Sequence, residues 1–192
     1  MDISLSGKNA LVGGASAGIG RAVAIELAAL GAHVTLMART ESALRDAGAE
    51  LDHSMRQQHQ YLVVDFRDGQ GLSEAVNGLL ARQPIHILVN NTGGPPGGPI
   101  TEASAEAFLS TYHNHLICNQ LLAQLVLPGM KSAGYGRIVN IISTSVKEPL
   151  ENLGVSNTTR WAVAGWAKTW ANEVARWGIT VNNVLPGFTR TG

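Results

Sequence analysis

Apolar positions along this chain fall into short runs that alternate with longer helical patterns. Residues 9–13 form a short apolar run ending in glycine. Over 19–30, Val23, Ile25, Leu27 and Leu30 recur at helical spacing. The pattern then predicts a strand at 33–37, a helix at 41–51 with Thr40 as N-cap, a strand at 61–64 and a helix at 71–82. Further strands are predicted at 85–89, 137–142 and 179–185. Between them lie long helices, at 102–131 (ending near Pro128 and Gly134) and at 157–177. Six apolar strands alternating with helices make a parallel sheet covered on both faces. The expected fold class is therefore α/β: a three-layer, Rossmann-like doubly wound sheet, forming a single domain over 1–192. The Gly/Pro cluster 93–99 is the one candidate flexible loop. It follows a strand's carboxyl end, where open α/β sheets bind ligands.

Composition narrows the function. With 45% apolar and only 15% charged residues among 192, the chain is not of the disordered class. Fourteen basic and fourteen acidic residues leave no net charge, which argues against a nucleic-acid footprint or an anionic membrane surface. A single cysteine, Cys118, excludes an internal disulfide and reads as a small core hydrophobe. His113 and His115 stand two apart and share no helical face, and His33, His53, His59 and His86 show no ligand spacing, so no metal site is expected. No leader-like segment or long apolar span is seen, and a cytoplasmic location is expected. Trp166, Trp170 and Trp177 lie on one helical stripe, which suits either core packing or a subunit interface.

The first strand runs into a glycine-rich turn. Gly14, Gly18 and Gly20 give the spacing Gly-x-x-x-Gly-x-Gly. Glycines here permit a tight turn and let a diphosphate approach backbone amides at a helix start. Gly18 is followed by Ile19, with no Lys-Ser/Thr, so the turn is not a mononucleotide P-loop.

Three later segments join this turn: Asn90-Asn91-Thr92-Gly93, Gly136-Arg137-Ile138-Val139-Asn140, and Pro186-Gly187-Phe188-Thr189-Arg190-Thr191. Together, and in this order, they make the chain resemble the short-chain dehydrogenase/reductase family over essentially its whole length. The resemblance implies a dinucleotide cofactor. Ala38 stands where the family's NAD-selective acid would sit, and Arg39 follows, able to clamp a 2′-phosphate. Ser16 could add a hydroxyl. NADP(H) is therefore expected over NAD(H). The resemblance also places Asp65 at the adenine amino group, Asn91 and Gly93 along the adenosine side, and Thr191 at the nicotinamide end. It implies a homo-oligomer, dimer or tetramer. The family continues into a substrate-covering segment and a seventh strand, while this chain stops at Gly192, so the sheet is expected without that strand.

The catalytic positions depart from the family's Asn, Ser and Tyr-x-x-x-Lys. Ser143 matches the serine, but Ser156 stands at the tyrosine, Arg160 at the lysine and His115 at the asparagine. An aliphatic hydroxyl near water's ~15.7 would need about 12 kcal/mol of tuning to ionise near neutrality. Ser156 is therefore expected to hydrogen-bond a carbonyl rather than move its proton. Arg160 stays charged and can hold a ribose or an oxyanion. His115, expected to titrate near 6–7, and Lys147 are the candidate proton donors, along with water. The expected function is an NADP(H)-dependent oxidoreductase interconverting a carbonyl and a secondary alcohol. The alternative is a cofactor-binding protein without turnover.

Overall fold

A computed structural model describes residues 3–189. Strands β1 (Asn9–Gly13), β2 (His33–Ala38), β3 (Gln60–Val63), β4 (Ile87–Asn90), β5 (Gly136–Ile141) and β6 (Ile179–Val184) form one sheet. All pairs are parallel, in the order β3-β2-β1-β4-β5-β6. Helices α1 (Gly18–Ala29), α2 (Glu41–Gly48), α3 (Gly69–Leu80), α4 (Ala105–Tyr112), α5 (Cys118–Ala133) and α6 (Gly154–Val174) cover it. This is the expected three-layer α/β sheet, with six strands among the described residues.

Alternate strand residues feed two cores, because successive side chains leave a strand on opposite faces. Ala10, Val12, Ile87 and Val89 pack with Ala24, Ala28 and Leu44 of α1 and α2. Leu11, Leu88, Ile138 and Val181 pack with Leu72, Leu122 and Ala167 of α3, α5 and α6. Strand order reverses between β1 and β4, so a crevice opens where the chain leaves those strands.

Helix boundaries differ from the periodic reading in one important place. The predicted helix 102–131 is broken. A short 3-10 turn at Ile100–Glu102 precedes it, and Ser104 caps α4 by accepting the Ala107 N–H at 3.2 Å. A π-helical turn, His113–Ile117, then separates α4 from α5. Hydrophobic spacing cannot register one wide turn, and such turns often mark functional sites. Pro128 lies inside α5, and the helix is capped at Gly134, the expected end, in the left-handed region at φ 58°. Thr40 occupies the N-cap of α2 but makes no side-chain cap bond.

The tryptophan stripe is largely core. Trp166 and Trp170 pack against the larger core, and both indole N–H groups donate to Gln120 Oε1, at 2.7 and 2.9 Å. Trp177 is covered by Lys131 and Arg176, at 3.7 and 4.0 Å from the ring centroid. The exposed tryptophan is Trp161, outside the stripe. Cys118 is buried and its thiol donates to Phe66 O at 3.0 Å; burial pushes its pKa up to about 11.

Three of the histidines are structural acceptors. Nδ1 of His33, His59 and His86 accepts the N–H of Gln58, Val34 and Asn9, at 2.8, 3.1 and 3.0 Å. These bonds tie loops to the strand starts. Among the described residues no cluster of His, Cys, Asp and Glu forms a metal-binding group, and no helix is long and apolar enough to cross a membrane.

A polar rung crosses the other end of the sheet. Asn90, Asn140 and Asn183 are register partners on β4, β5 and β6. Asn90 Nδ2 donates to Asn140 Oδ1 at 2.8 Å, and Asn140 Nδ2 donates to Asn183 Oδ1 at 2.9 Å. Asn140 is fully buried. Asn140→Ala strands the buried Asn90 amide and should destabilise the protein by about 2–3 kcal/mol, measured by urea unfolding. A change within error would show that the rung carries no stability.

Candidate active site

The turn after β1 is shaped by close approach. Gly14 and Gly18 both adopt φ 56°, a left-handed conformation that glycine reaches without strain. A Cβ on Gly20 would collide with the Gly14 backbone oxygen, and one on Gly13 would sit 2.8 Å from Asn91 O. Asn91 Nδ2 donates to Gly13 O at 3.1 Å and Gly14 O at 3.4 Å, pinning the turn to the end of β4. Gly13 was not part of the expected motif, because its constraint comes from Asn91, 78 residues away.

The turn opens onto a cleft of about 980 Å³ at the carboxyl ends of the strands. Gly14, Ser16, Gly18, Ile19, Arg39 and Asp65 line one part of it. Asn91, Gly93, His115, Ser143, Ser156 and Arg160 line the rest. Gly20 is buried behind the turn, Lys147 is exposed and is not a lining residue, and Thr191 lies outside the described residues. Thr92, Arg67 and Asn114 also line the cleft. Thr92 belongs to one of the segments that carry the family resemblance, whereas Arg67 and Asn114 have no sequence signal, because only the fold brings their elements to the cleft.

Charges are arranged unevenly around this cleft. Arg39 is exposed at the end of β2, next to buried Ala38. Asp65 is engaged by Arg67, whose Nη2 donates to Asp65 Oδ2 at 2.6 Å. The Arg67 side-chain and backbone hydrogen bonds hold the Asp65 carboxyl down at about 2. Ser143 is extended, and its Oγ accepts the Ser145 N–H at 3.1 Å, which leaves its own O–H to donate. Ser156 and Arg160 lie one turn apart on α6, on the same face. Arg160 Nη1 donates to Ile141 O at 2.9 Å, which anchors the guanidinium at the end of β5. Burial lowers its pKa to about 10, so it remains a cation near neutrality.

His115 departs from the expected titration near 6–7. It lies on the π-helical turn, 3% exposed, with Nδ1 2.7 Å from Thr92 Oγ1. Burial first, and the Arg160 charge second, push its pKa down to about 3. The ring is therefore neutral near pH 7 and cannot serve there as an imidazolium acid. Its hydrogen bonds to Thr92 and to the Gly93 backbone hold the neutral ring in place.

This shift makes stability depend on pH. The unfolded histidine, near 6.5, binds a proton that the folded one refuses, so stability falls as pH drops below 6.5. From pH 6.5 to 5 the loss from His115 alone should be about 2 kcal/mol. His59 and His86, also lowered by burial, add in the same direction. His115→Asn should flatten the drop, with unfolding followed in urea at pH 7 and pH 5. An unchanged slope in the variant would show that His115 is not held neutral.

The sequence profile of the short chain dehydrogenases matches residues 8–192. The L-xylulose reductase of Mesocricetus auratus is 32% identical over all of this chain and 75% of its own length. The 3-oxoacyl-acyl-carrier-protein reductase of Pseudomonas aeruginosa is 33% identical, over 98% of this chain and 76% of its own. The crystal structure of L-sorbose reductase from Gluconobacter frateurii, complexed with NADPH and L-sorbose, superimposes with a TM-score of 0.93. It is 32% identical and covers 100% of this chain and 73% of that one. The match over nearly the whole sequence, on the same parallel sheet and glycine turn, establishes that the chain belongs to the short chain dehydrogenase family.

Proposed function

We propose that the protein is an NADP(H)-dependent oxidoreductase that interconverts a carbonyl and a secondary alcohol. The observation that carries this reading is a single cleft joining the phosphate-binding turn to Ser143, Ser156 and Arg160. From β2 to β5 is three strand spacings, about 14 Å, room for an extended dinucleotide. The fit to the cofactor rests on the cradle itself. Gly14 and Gly18 leave the α1 amides open to a diphosphate, and a side chain at Gly20 would fill the turn. Arg39 and Ser16 would hold a 2′-phosphate, with no carboxylate on the Ala38 side chain to repel it. Asp65 would take the adenine amino group while Arg67 keeps its carboxylate ionised. The NADPH and sugar in the similar L-sorbose reductase support the same use of this cleft.

Bound NADPH supplies hydride chemistry at the nicotinamide. The remaining work falls to the chain. Ser143 donates its O–H to the carbonyl oxygen, and Ser156 offers a second hydroxyl to the same oxygen. Arg160 offsets the negative charge that gathers there. Neutral His115 positions Thr92 at the rim of the cleft. With His115 uncharged, Lys147 outside the cleft and serine hydroxyls too weakly acidic, the completing proton comes from water in the open cleft. Leu109, Tyr112, Ile117 and Trp161, exposed on α4 to α6 and the turn between, support a homo-oligomer.

The protein should bind NADPH at least ~10-fold more tightly than NADH, about 1.4 kcal/mol, by fluorescence titration. Arg39→Ala should erase most of that gap. NADPH consumption should appear with at least one member of a ketone and aldehyde panel. Equal affinities would sink the cofactor assignment. Tight NADPH binding with no turnover across the panel would leave a cofactor-binding role without chemistry.

A further inference from the structure

Trp161 lies on α6 with 51% of its surface exposed, yet its indole N–H is bonded to an interior carbonyl. Nε1 donates to Ser145 O at 3.0 Å. Ser145 is buried, in the short 3-10 turn Thr144–Val146 that follows β5. The backbone N–H of the same residue donates to Ser143 Oγ at 3.1 Å. Ser145 is thus held at its carbonyl by Trp161 and holds Ser143 through its amide. Other anchors of this turn are Thr144 N–H, which donates to Pro186 O at 3.1 Å, and Val146, which packs against Val163 of α6. The Ser145 hydroxyl adds none, because it is buried without a hydrogen-bond partner among the described residues. A ring as exposed as Trp161 gains little from packing, so its directed bond carries its effect on the turn.

We infer that Trp161 is a positioning residue: its indole N–H fixes the turn after β5 so that the Ser143 O–H is aimed into the cleft. The inference rests on the oxidoreductase reading, in which Ser143 donates to the carbonyl oxygen. The Ser145 N–H occupies one lone pair of Ser143 Oγ, which restricts where the hydroxyl hydrogen can turn. Ser143 lines the cleft and Trp161 does not, so the tryptophan acts through Ser145. A hydroxyl displaced by about 1 Å from the reacting oxygen loses much of its effect.

The probe is 2,3-butanedione, an electron-poor diketone, reduced with NADPH. Trp161→Phe keeps an aromatic ring and removes the N–H. It should lower kcat about fivefold to tenfold, while KM for the diketone and NADP+ affinity by calorimetry stay within about twofold. Amide exchange over residues 143–147, followed by mass spectrometry, should become at least about threefold faster. Trp161→His loses the larger ring but returns a ring N–H to the same place. It should recover kcat and amide protection to within about twofold of the unmodified protein. Packing alone predicts the reverse order, with the phenylalanine variant closer to the unmodified protein than the histidine one. That order overturns the inference, as does unchanged kcat and exchange in Trp161→Phe. A loss of NADP+ affinity in step with kcat also overturns it, because the whole cleft would then be disturbed. An unmodified protein that binds NADP+ and reduces neither this diketone nor any ketone or aldehyde of the panel overturns the oxidoreductase reading instead. Exchange then decides the tether separately: faster exchange in Trp161→Phe with protection restored in Trp161→His supports it, and equal exchange in all three proteins rejects it.

Discussion

The close approach of the β1–α1 turn to the end of β4 is the contact on which the cleft depends. Asn91 reaches across the point where strand order reverses and bonds to the Gly13 and Gly14 carbonyls. Those carbonyls can come that close only because Gly13, Gly14 and Gly20 carry no side chain. A methyl group at any of them would push the turn outward and lift the α1 amides away from the strand ends. The phosphate cradle is thus a packing result as much as a chemical motif.

The asparagine rung does comparable work on the other half of the sheet. Asn90, Asn140 and Asn183 lock β4, β5 and β6 in register just below their carboxyl ends. Buried amides normally weaken a core unless they are paired. Here the pairing sets the height at which Asn91 leaves β4 and Ser143 leaves β5. Ile141 O, also at that end of β5, anchors Arg160. The glycine turn and the hydroxyl–guanidinium group therefore share one rigid floor.

Electrostatics in the cleft follow from this placement. Arg160 and His115 come from α6 and the π-helical turn, and each is held away from bulk water. Burial first, and the neighbouring guanidinium second, disfavour the charged ring, so the histidine gives up its proton while the arginine keeps its charge. The result is a site with a fixed cation and only neutral donors, suited to stabilising negative charge and poorly suited to conventional side-chain proton transfer.

Much of this was legible in the amino-acid order. Six apolar runs, alternating with helical patterns, determined the parallel sheet, because burial on both faces demands continuous hydrophobicity. The glycine spacing located the turn, and Ala38-Arg39 at the end of β2 indicated the cofactor preference, because both are local features read along one stretch of chain. Ser143, Ser156, Arg160 and His115 were identified as cleft residues only through the family resemblance. Tertiary structure decided the rest. The break at His113–Ile117, the role of Gly13, the Arg67 partner of Asp65 and the internal packing of Trp166 and Trp170 all depend on residues distant in sequence. So does the charge of His115: its unperturbed pKa belongs to the side chain, but burial and the nearby Arg160 set the actual one. Desolvation and pairing are properties of neighbours in space, and only the folded chain supplies those neighbours.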